Sequence, residues 1–357
     1  MNKVGIIGAG AIAQGAHIPS YQETNGVRII AISDSNEDKA KFVAKKFGIE
    51  NYFASYEDLL KLKEIEAVSI CTPNCFHEEQ VIAALKAKKN VLCEKPLSPN
   101  VKGVEEIFRE AEKSNRICMI AYMRRFMKTS QVLKEFIGSD ELGQIYYAKA
   151  SFLRRRGIPT PGSWFTSRKL SGGGCLIDIG VHVLDLSLWL MGNPEPKEVV
   201  GSTYAKFRGI TSSGWPPSDT LVGDTFSYPF DVEDLASGFI KFDNGATLFL
   251  ESSWAGNSER EIALSFFGTK GGAKIQFLED ASLPGSLKIF KEKQGTLLDL
   301  VPSLPQKNNP FHEEIHHFID CIKNGKEPIT TFEEALSVAK IIEAIYKSAE
   351  EGREMRI

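Results

Sequence analysis

The sequence lacks the features that are typical of nucleic-acid-binding and membrane proteins. Its 43 lysines and arginines do not exceed its 46 aspartates and glutamates, and the net charge is −3. Without a positive field, a chain has no general attraction for phosphate backbones or anionic lipid surfaces. No apolar run approaches the roughly 18 residues needed to cross a bilayer. We therefore expect no nucleic-acid partner and no membrane partner.

Cysteine is also sparse, with six scattered residues. Cys71 and Cys75 are four residues apart, but no second pair at the spacing typical of zinc sites accompanies them. The N-terminus enters a strand pattern directly, without a charged leader or an apolar signal core. These absences predict reduced cysteines, no metal site and a cytoplasmic location.

The remaining composition, 42% hydrophobic and 25% charged residues, is typical of a globular protein. A length of 357 residues is enough for two domains. Strand and helix patterns alternate up to about residue 121, and consecutive hairpins follow. We predict an α/β fold, with a doubly wound parallel sheet in residues 1–121. Residues 122–357 are predicted to form an α+β domain with a large, open, mostly antiparallel sheet, whose last helices can pack back on the first domain. The Gly-, Ser- and Pro-rich segment 209–229 is predicted to be an irregular loop.

A glycine-rich turn follows the first strand pattern. Gly8, Gly10 and Ala13 form a G-x-G-x-x-A motif ahead of a helical run. In this motif the first glycine permits a tight turn, and the second lets backbone amides approach a pyrophosphate at the helix N-terminus. Asp34 ends the next strand pattern 21 residues beyond Ala13, near the spacing of the acid that binds a ribose 2′-hydroxyl. The pattern predicts NAD, with NADP disfavoured; in the structural alternative, Asp34 is only a helix N-cap.

Further cofactor contacts are expected where later strands of the parallel sheet end, because ligands bind at the carboxyl ends of such strands. The predicted cofactor-binding residues are Gly8, Gly10, Ala11, Ile12, Asp34, Ser35, Thr72, Pro73, Asn74, His77, Glu94, Lys95 and Arg124.

A glycine run at 172–174 precedes the most apolar helix pattern of the chain. Apolar residues cover so much of its circumference that this helix should be buried. Asp178, His182 and Asp185 nevertheless share a narrow arc, because residues four and seven apart lie above one another on an α-helix. Burying them is costly unless they are paired or face a polar ligand. We interpret the arc as a catalytic face; an Asp–His hydrogen bond that joins two layers is the structural alternative.

Together, these motifs resemble the Gfo/Idh/MocA family of NAD(P)-dependent oxidoreductases, which act mostly on sugars and cyclitols. The resemblance rests on Gly8–Ala13, Glu94–Pro96 and Asp178–Asp185. It implies a Rossmann domain followed by a C-terminal α/β domain, and a homodimer or homotetramer formed through the open sheet face. It also implies that Lys95, Asp178 and His182 are the catalytic residues. Phe165 stands where many relatives have an arginine, so an arginine contact to the cofactor is not expected there.

The residue chemistry fits alcohol oxidation. An imidazole such as that of His182 has an ordinary pKa of about 6.5, which suits an acid or base near neutral pH. Asp178 can fix the tautomer of His182 or bind a substrate hydroxyl, and Lys95 can stabilise alkoxide-like charge. Asp185 can bind another hydroxyl or be structural. The predicted substrate-binding residues are Lys95, Met123, Arg124, Arg154, Arg156, Trp164, Asp178, His182 and Asp185.

Some of these residues keep structural alternatives. Arg154 and Arg156 end a predicted strand on the same face, which belongs either to the cleft or to a subunit interface. Trp164 stacks on a sugar ring or the nicotinamide, or it simply packs in the core. Arg125 is predicted to be a surface or salt-bridged residue.

The resemblance predicts an NAD-dependent dehydrogenase that oxidises a secondary ring hydroxyl of a sugar, glycoside or cyclitol. A loose likeness around 154–159 favours the 3-hydroxyl of a glucoside. Two alternatives come from other classes: a redox-assisted glycoside hydrolase that retains NAD, and a non-catalytic NAD-binding regulator. The presence of Lys95, Asp178 and His182 argues against the regulator.

Overall fold

The computed structural model describes residues 2–160, 162–209, 227–283, 285–305 and 309–357. Most of the loop predicted at 209–229 lies outside these ranges. The described residues form two sheets, one parallel and one mixed, with helices packed against both.

The first sheet is the predicted doubly wound parallel sheet. Its strand order is β3-β2-β1-β4-β5-β6, and all five neighbouring pairs are parallel. Every residue of β4 and β5 is buried, as expected for strands covered on both faces. The strands are β1 Asn2–Ile7, β2 Val27–Ser33, β3 Asn51–Phe53, β4 Ala67–Ile70, β5 Asn90–Cys93 and β6 Cys118–Ile120.

Helices cover this sheet on both faces. A continuous helix follows β1, and its segment Ala13–His17 is a π-helix in which Ile18 N donates to the carbonyl of Ala13, five residues earlier. The α-helices of this half are α1 Ile18–Glu23, α2 Glu37–Phe47, α3 Tyr56–Leu60, α4 His77–Lys86 and α5 Val101–Ser114, and 3₁₀ turns cover Asn74–Phe76 and Met123–Phe126.

The second sheet is large and mostly antiparallel, as predicted. Its order is β14-β13-β12-β11-β7-β10-β9-β8-β15, and only the β7–β10 pair is parallel. The strands are β7 Ile145–Leu153, β8 Pro196–Tyr204, β9 Leu235–Phe242, β10 Thr247–Ser253, β11 Glu261–Gly268, β12 Gly272–Gln276, β13 Ser286–Lys293, β14 Thr296–Leu300 and β15 Met355–Arg356.

Within the described ranges, the second half of the chain has five α-helices. They are α6 Lys128–Gly138, α7 Arg168–Ser171, α8 Val181–Met191, α9 Pro310–Asn324 and α10 Phe332–Glu351, and a 3₁₀ turn covers Trp164–Thr166. The stretch Arg168–Met191 is long and apolar enough to span a membrane, contrary to our expectation, but 83% of its most apolar window is buried inside the protein. It is therefore a core helix of the second half.

The helix predicted after the glycine run is not a regular α-helix. Leu176–Gly180 is π-helical, and Val181 N donates to the carbonyl of Leu176, five residues earlier. A π-turn contains one residue more than the corresponding α-turn. The residues after the turn are therefore rotated about the helix axis relative to those before it, and the narrow arc predicted for an α-helix does not form.

The end of the chain returns to the first sheet. Ile315, Phe318 and Ile319 of α9 belong to the same buried cluster as Val4 and Ile18. Thr330 Oγ1 accepts a hydrogen bond from the backbone N of Ile120 at 3.2 Å. Helix α9 thus covers part of the Rossmann half.

Candidate active site

A cleft of about 870 Å³ lies between the carboxyl end of the first sheet and the start of the central helix, which is the π-turn Leu176–Gly180 together with α8. Ala11 and Ile12 line one end, and Asp178 and His182 line the wall contributed by the central helix. The other predicted site residues along it are Thr72, Asn74, Glu94, Lys95, Met123, Arg124, Arg154, Arg156 and Trp164. The fold therefore brings most of the predicted cofactor and substrate residues to one cleft.

The glycine turn has the geometry that a dinucleotide needs. Gly8 has a φ of +96°, and a Cβ at this position would lie 2.7 Å from the carbonyl oxygen of Cys71, so only glycine fits. In front of Gly10 there is open space, because no atom lies within 4 Å of an ideal Cβ. A helix begins directly after Gly10, at Ala11, and the N-terminus of a helix is a site that binds phosphates.

Asp34 lies beside this turn at the end of β2. Its Oδ2 accepts a hydrogen bond from Ala9 N at 2.9 Å, and its Oδ1 accepts one from Asn36 N at 3.0 Å. Asn36, rather than Asp34, is the N-cap of α2, since its side chain accepts from Lys39 N. The N-cap alternative for Asp34 is therefore wrong. Ser35 is exposed next to it.

The loop after β4 lines the cleft at its start and is buried away from the cleft at His77. Thr72 and Asn74 line the cleft, and Asn74 Nδ2 donates to the carbonyl of Ser171 at 2.7 Å, which joins this loop to the segment before the glycine run. His77 is fully buried, and its ring nitrogens contact the carbonyls of Pro96 and Thr72 at 2.7 and 2.9 Å. The prediction that His77 contacts the cofactor is therefore wrong: the ring holds two loops together behind the cleft.

Glu94 is held from behind by a buried histidine that sequence reasoning missed. His17 Nε2 lies 3.0 Å from Glu94 Oε1, and His17 Nδ1 lies 3.1 Å from Ser69 Oγ. Burial alone lowers the pKa of His17, but Cys71 and Glu94 outweigh that effect and raise it well above its ordinary value. The contact with Glu94 favours the protonated imidazole, and His17 in turn lowers the pKa of Glu94 against the effect of burial.

Lys95 and Asp178 form the centre of the site. Lys95 Nζ donates to the carbonyl oxygen of Asp178 at 2.7 Å and to its Oδ1 at 3.2 Å. Asp178 Oδ2 accepts from Trp254 Nε1 at 2.9 Å. An ammonium has three donors, so one N–H of Lys95 is left for a ligand.

His182 lies next in the wall of the cleft, partly buried. Its Nδ1 is buried and has no hydrogen-bond partner among the described residues. Asp178 therefore does not fix the tautomer of His182. The Asp–His hydrogen bond of the structural alternative is not present among the described residues. Burial and the positive charges of Lys95, Arg124 and Arg154 hold the pKa of His182 well below its ordinary value. The imidazole is neutral at pH 7 and able to accept a proton.

Asp185 lies away from the cleft. Its carboxylate pairs with the guanidinium of Arg125 through contacts of 3.0 Å from Nε and 2.6 Å from Nη2, and both side chains are buried. Arg125 Nη1 also contacts Glu334 Oε2 at 2.5 Å. Burial raises the pKa of Asp185 to about 6 against the opposing effect of Arg125, so the carboxylate is ionised at pH 7. The prediction that Asp185 binds substrate is wrong, because the π-turn rotates it out of the arc that contains Asp178.

The arginines after β7 reach the far end of the cleft. The strand ends at Leu153, three residues earlier than predicted, yet Arg154 and Arg156 both line the cleft, whereas Arg155 is exposed outside it. Arg154 Nε lies 3.3 Å from Glu279 Oε1. Arg156 donates to Asn257 Oδ1 at 3.0 Å.

Trp164 lies at the cleft, stacked on the neighbouring Phe165 with ring centroids 3.8 Å apart. Both rings are partly buried and line the cleft. Phe165 therefore gives the cleft an apolar surface at the position where many relatives have an arginine.

Several residues of the site have no local sequence signal. Glu233 accepts hydrogen bonds from Gly174 N and Leu176 N at 2.9 and 3.1 Å, so it caps the start of the central helix. A Cβ on Gly174 would lie 1.9 Å from the carbonyl of Glu233, which explains the glycine there. The other cleft residues that were not predicted are Gln14, Gly15, Ala16, Lys46, Cys71, Phe152, Gly157, Phe165, Ile179, Arg260, Glu279, Asp280, Ala281 and Phe311.

Among the described residues, no group of three or more His, Cys, Asp or Glu side chains is arranged to hold a metal ion. The six cysteines are all unpaired thiols.

Comparison with known proteins tests the resemblance directly. Residues 2–122 match the NAD-binding Rossmann-fold domain of the Gfo/Idh/MocA oxidoreductase family, and residues 134–357 match its C-terminal alpha/beta domain. The chain belongs to this family. It is therefore an oxidoreductase with an NAD-binding Rossmann domain, and the predicted family and fold class are confirmed.

Relatives in this family include sugar and cyclitol dehydrogenases. D-glucoside 3-dehydrogenase of Escherichia coli is 31% identical over 99% of this chain and 97% of its own length. Myo-inositol 2-dehydrogenase of Thermotoga maritima is 26% identical over 99% of this chain and 98% of its own. A levoglucosan dehydrogenase in complex with NADH and L-sorbose has the same fold, with a TM-score of 0.85, 24% identity and coverage of 100% of this chain and 99% of that one.

Proposed function

We propose that this protein is an NAD-dependent dehydrogenase that oxidises a secondary ring hydroxyl of a sugar, glycoside or cyclitol. The observation that carries the proposal is the arrangement of Lys95, Asp178 and His182 in the same cleft as the glycine turn. The similarity of the whole chain to D-glucoside 3-dehydrogenase favours the 3-hydroxyl of a glucoside as the reacting group.

His182, Lys95 and Asp178 each have a separate role in the oxidation of the alcohol. NAD, held at the glycine turn and Asp34, would supply the acceptor for the hydride that leaves the hydroxyl-bearing carbon. His182, neutral at pH 7, takes the hydroxyl proton as the carbonyl forms. The free N–H of Lys95 donates to the reacting oxygen and stabilises its developing negative charge. Asp178 fixes the ammonium of Lys95 and presents its carboxylate to the neighbouring hydroxyl.

A substrate panel tests this proposal. Glucosides, free aldoses, inositols, aliphatic alcohols and 2-hydroxy acids are each supplied with NAD, and NADH formation is followed by absorbance. We expect net reduction of NAD with one or more pyranosides or cyclitols. An apolar alcohol leaves the buried polar groups of the site without hydrogen-bond partners, which costs about 1–3 kcal/mol of binding free energy for each such group. Faster turnover of aliphatic alcohols or 2-hydroxy acids would rule out the substrate class, and glycoside cleavage without net NADH would favour the hydrolase alternative.

We also expect NAD to be preferred over NADP. The carboxylate of Asp34 beside the turn accepts hydrogen bonds from ribose hydroxyls and repels a 2′-phosphate. The preference is measured as the dissociation constants of NADH and NADPH, by nicotinamide fluorescence. Asp34→Asn should narrow the difference between the two constants. Asp38→Asn, which removes an exposed carboxylate from the first turn of α2, should leave the difference unchanged. Tighter binding of NADPH by the unaltered protein contradicts the assignment.

We further infer a homodimer or homotetramer that assembles through the open face of the second sheet. Large apolar side chains are exposed on its strands: Tyr146, Val200, Tyr204, Phe239, Phe267, Phe290, Leu297 and Leu300. Apolar surface of this extent is typical of an interaction site. Light scattering after size exclusion gives the oligomeric state, and a monomer at micromolar concentration would contradict the inference.

A further inference from the structure

Two adjacent arginines, Arg124 and Arg125, are buried in different ways. Arg125 has two carboxylate partners, Asp185 and Glu334. Arg124 is 6% exposed, and no carboxylate lies within ion-pair distance of it in the described ranges. A buried charge is costly unless it is paired. The unpaired arginine is the one that lines the cleft.

The surroundings of Arg124 fix the direction in which it can bind. Its guanidinium carbon lies 5.0 Å from the ring centroids of both Phe152 and Phe277. Nη1 contacts Met127 Sδ at 3.8 Å, whereas Nε is buried without a hydrogen-bond partner among the described residues. Two aromatic rings lie beside the guanidinium and Nη1 is on sulfur, so its Nε edge is left for a ligand. Such an edge matches the two oxygens of a carboxylate.

The charge of the surrounding wall points in the same direction. Burial and the nearby Arg154 lower the pKa of Arg124 to about 10, so it remains a cation at pH 7. Lys95, Arg124 and Arg154 all lie close enough to His182 to lower its pKa. Glu279 is shared between Arg154 and Arg260. The lining of the cleft has an excess of positive charge, with six lysines and arginines and four carboxylates: Lys46, Lys95, Arg124, Arg154, Arg156 and Arg260, against Glu94, Asp178, Glu279 and Asp280.

From these contacts we infer that the substrate carries an anionic group that pairs with Arg124 and Arg154. We propose that this group is a carboxylate. The inference rests on the proposed function, because it describes the same sugar substrate more closely. A sugar acid or an acidic glycoside fits this wall better than a neutral glucoside, since a neutral ligand leaves the buried guanidinium without a counter-charge.

The test measures binding, so that it does not depend on turnover. The probes are methyl β-D-glucopyranosiduronate and its primary amide, which has nearly the same shape without the charge, each titrated calorimetrically into the protein saturated with NADH. We expect the acid to bind at least about tenfold more tightly than the amide, since hydrogen bonds to charged groups are stronger than neutral ones. The advantage should shrink as salt is raised. The 6-phosphate of methyl β-D-glucopyranoside distinguishes a phosphate from a carboxylate.

Two variants identify the residue responsible. Arg124→Met, also measured in protein saturated with NADH, should remove the preference for the acid. Arg155→Met removes an exposed arginine of the same run that does not line the cleft, and it should leave the preference intact. Equal binding of acid and amide by the unaltered protein would overturn the inference. In that case, oxidation of neutral glucosides in the substrate panel would leave the proposed function standing. Absence of turnover with every sugar would reject the proposed function instead.

Discussion

Replacement of His182 by asparagine is expected to lower the kcat of sugar oxidation by at least about 10²-fold, because it removes the base that takes the hydroxyl proton. Lys95→Met should cause a loss of similar order, at least about 10²-fold, through the lost stabilisation of the reacting oxygen. The affinity for NADH should change little in the His182 variant, since the imidazole acts on the substrate. Initial rates and NADH fluorescence titrations measure the two effects separately.

The control for the histidine substitution is His316→Asn, which alters an exposed imidazole of α9 outside the cleft. It should keep full activity. A His182 variant with near wild-type turnover would reject the mechanism.

The pH profile of the unaltered enzyme provides an independent check. A base must be deprotonated, and burial together with the cations around His182 lowers its pKa below the ordinary value of about 6.5. The rate of oxidation should therefore persist as the pH falls from 8 to about 6.5, and the acid limb of kcat/KM should lie below that value. The acid limb should be absent from the profile of the His182→Asn variant. An acid limb above pH 6.5 would contradict the assignment.

Arg125→Met is expected to cost about 3–5 kcal/mol in the free energy of unfolding, because it leaves the buried carboxylate of Asp185 without its counter-charge. The guanidinium also holds the carbonyl of Ile329 at 2.8 Å and the side chain of Glu334, so three parts of the chain lose a common contact. Urea unfolding followed by circular dichroism measures the change.

A double substitution separates charge from packing. Arg125→Met with Asp185→Leu should recover much of the lost stability, because no unpaired charge then remains at that pair. Lys288→Ala is the control: it breaks an exposed ion pair with Asp299 at 3.3 Å, and it should barely move the urea midpoint. If Arg125→Met unfolds at the same urea concentration as this control, the buried pair is not a stabilising contact.

The helices and strands with clear end signals were predictable from the sequence. Helix α5 begins after Asn100, whose side chain accepts from Gly103 N, and α10 begins at a capping box formed by Thr331 and Glu334. Both helices end where the periodic pattern does. By contrast, β3 and β15 are three and two residues long. Such short strands depend on pairing with distant partners and leave almost no periodic pattern.

The candidate site was predictable only where its residues belong to motifs. Lys95 and His182 were predicted, because they stand in patterns with a chemical meaning. Trp254, Glu233 and Glu279 were not, because each reaches the site from a distant strand or loop of the second half. The error on Asp185 has another cause. An i, i+4, i+7 spacing describes a regular α-helix, and no propensity rule predicts a π-turn at Leu176–Gly180.

The packing of α9 on the first sheet has a consequence for synthesis of the protein. The first 121 residues leave the ribosome about 190 residues before Pro310, where this helix begins. At translation rates of about 5–20 residues per second, that interval lasts roughly 10–40 s. Throughout it, the apolar surface around Val4 and Ile18 that α9 later covers lies open in the nascent chain. The first half of the protein therefore needs a helix from near the C-terminus to cover its apolar surface. Early termination of translation would release a nucleotide-binding half whose exposed apolar surface is prone to aggregation.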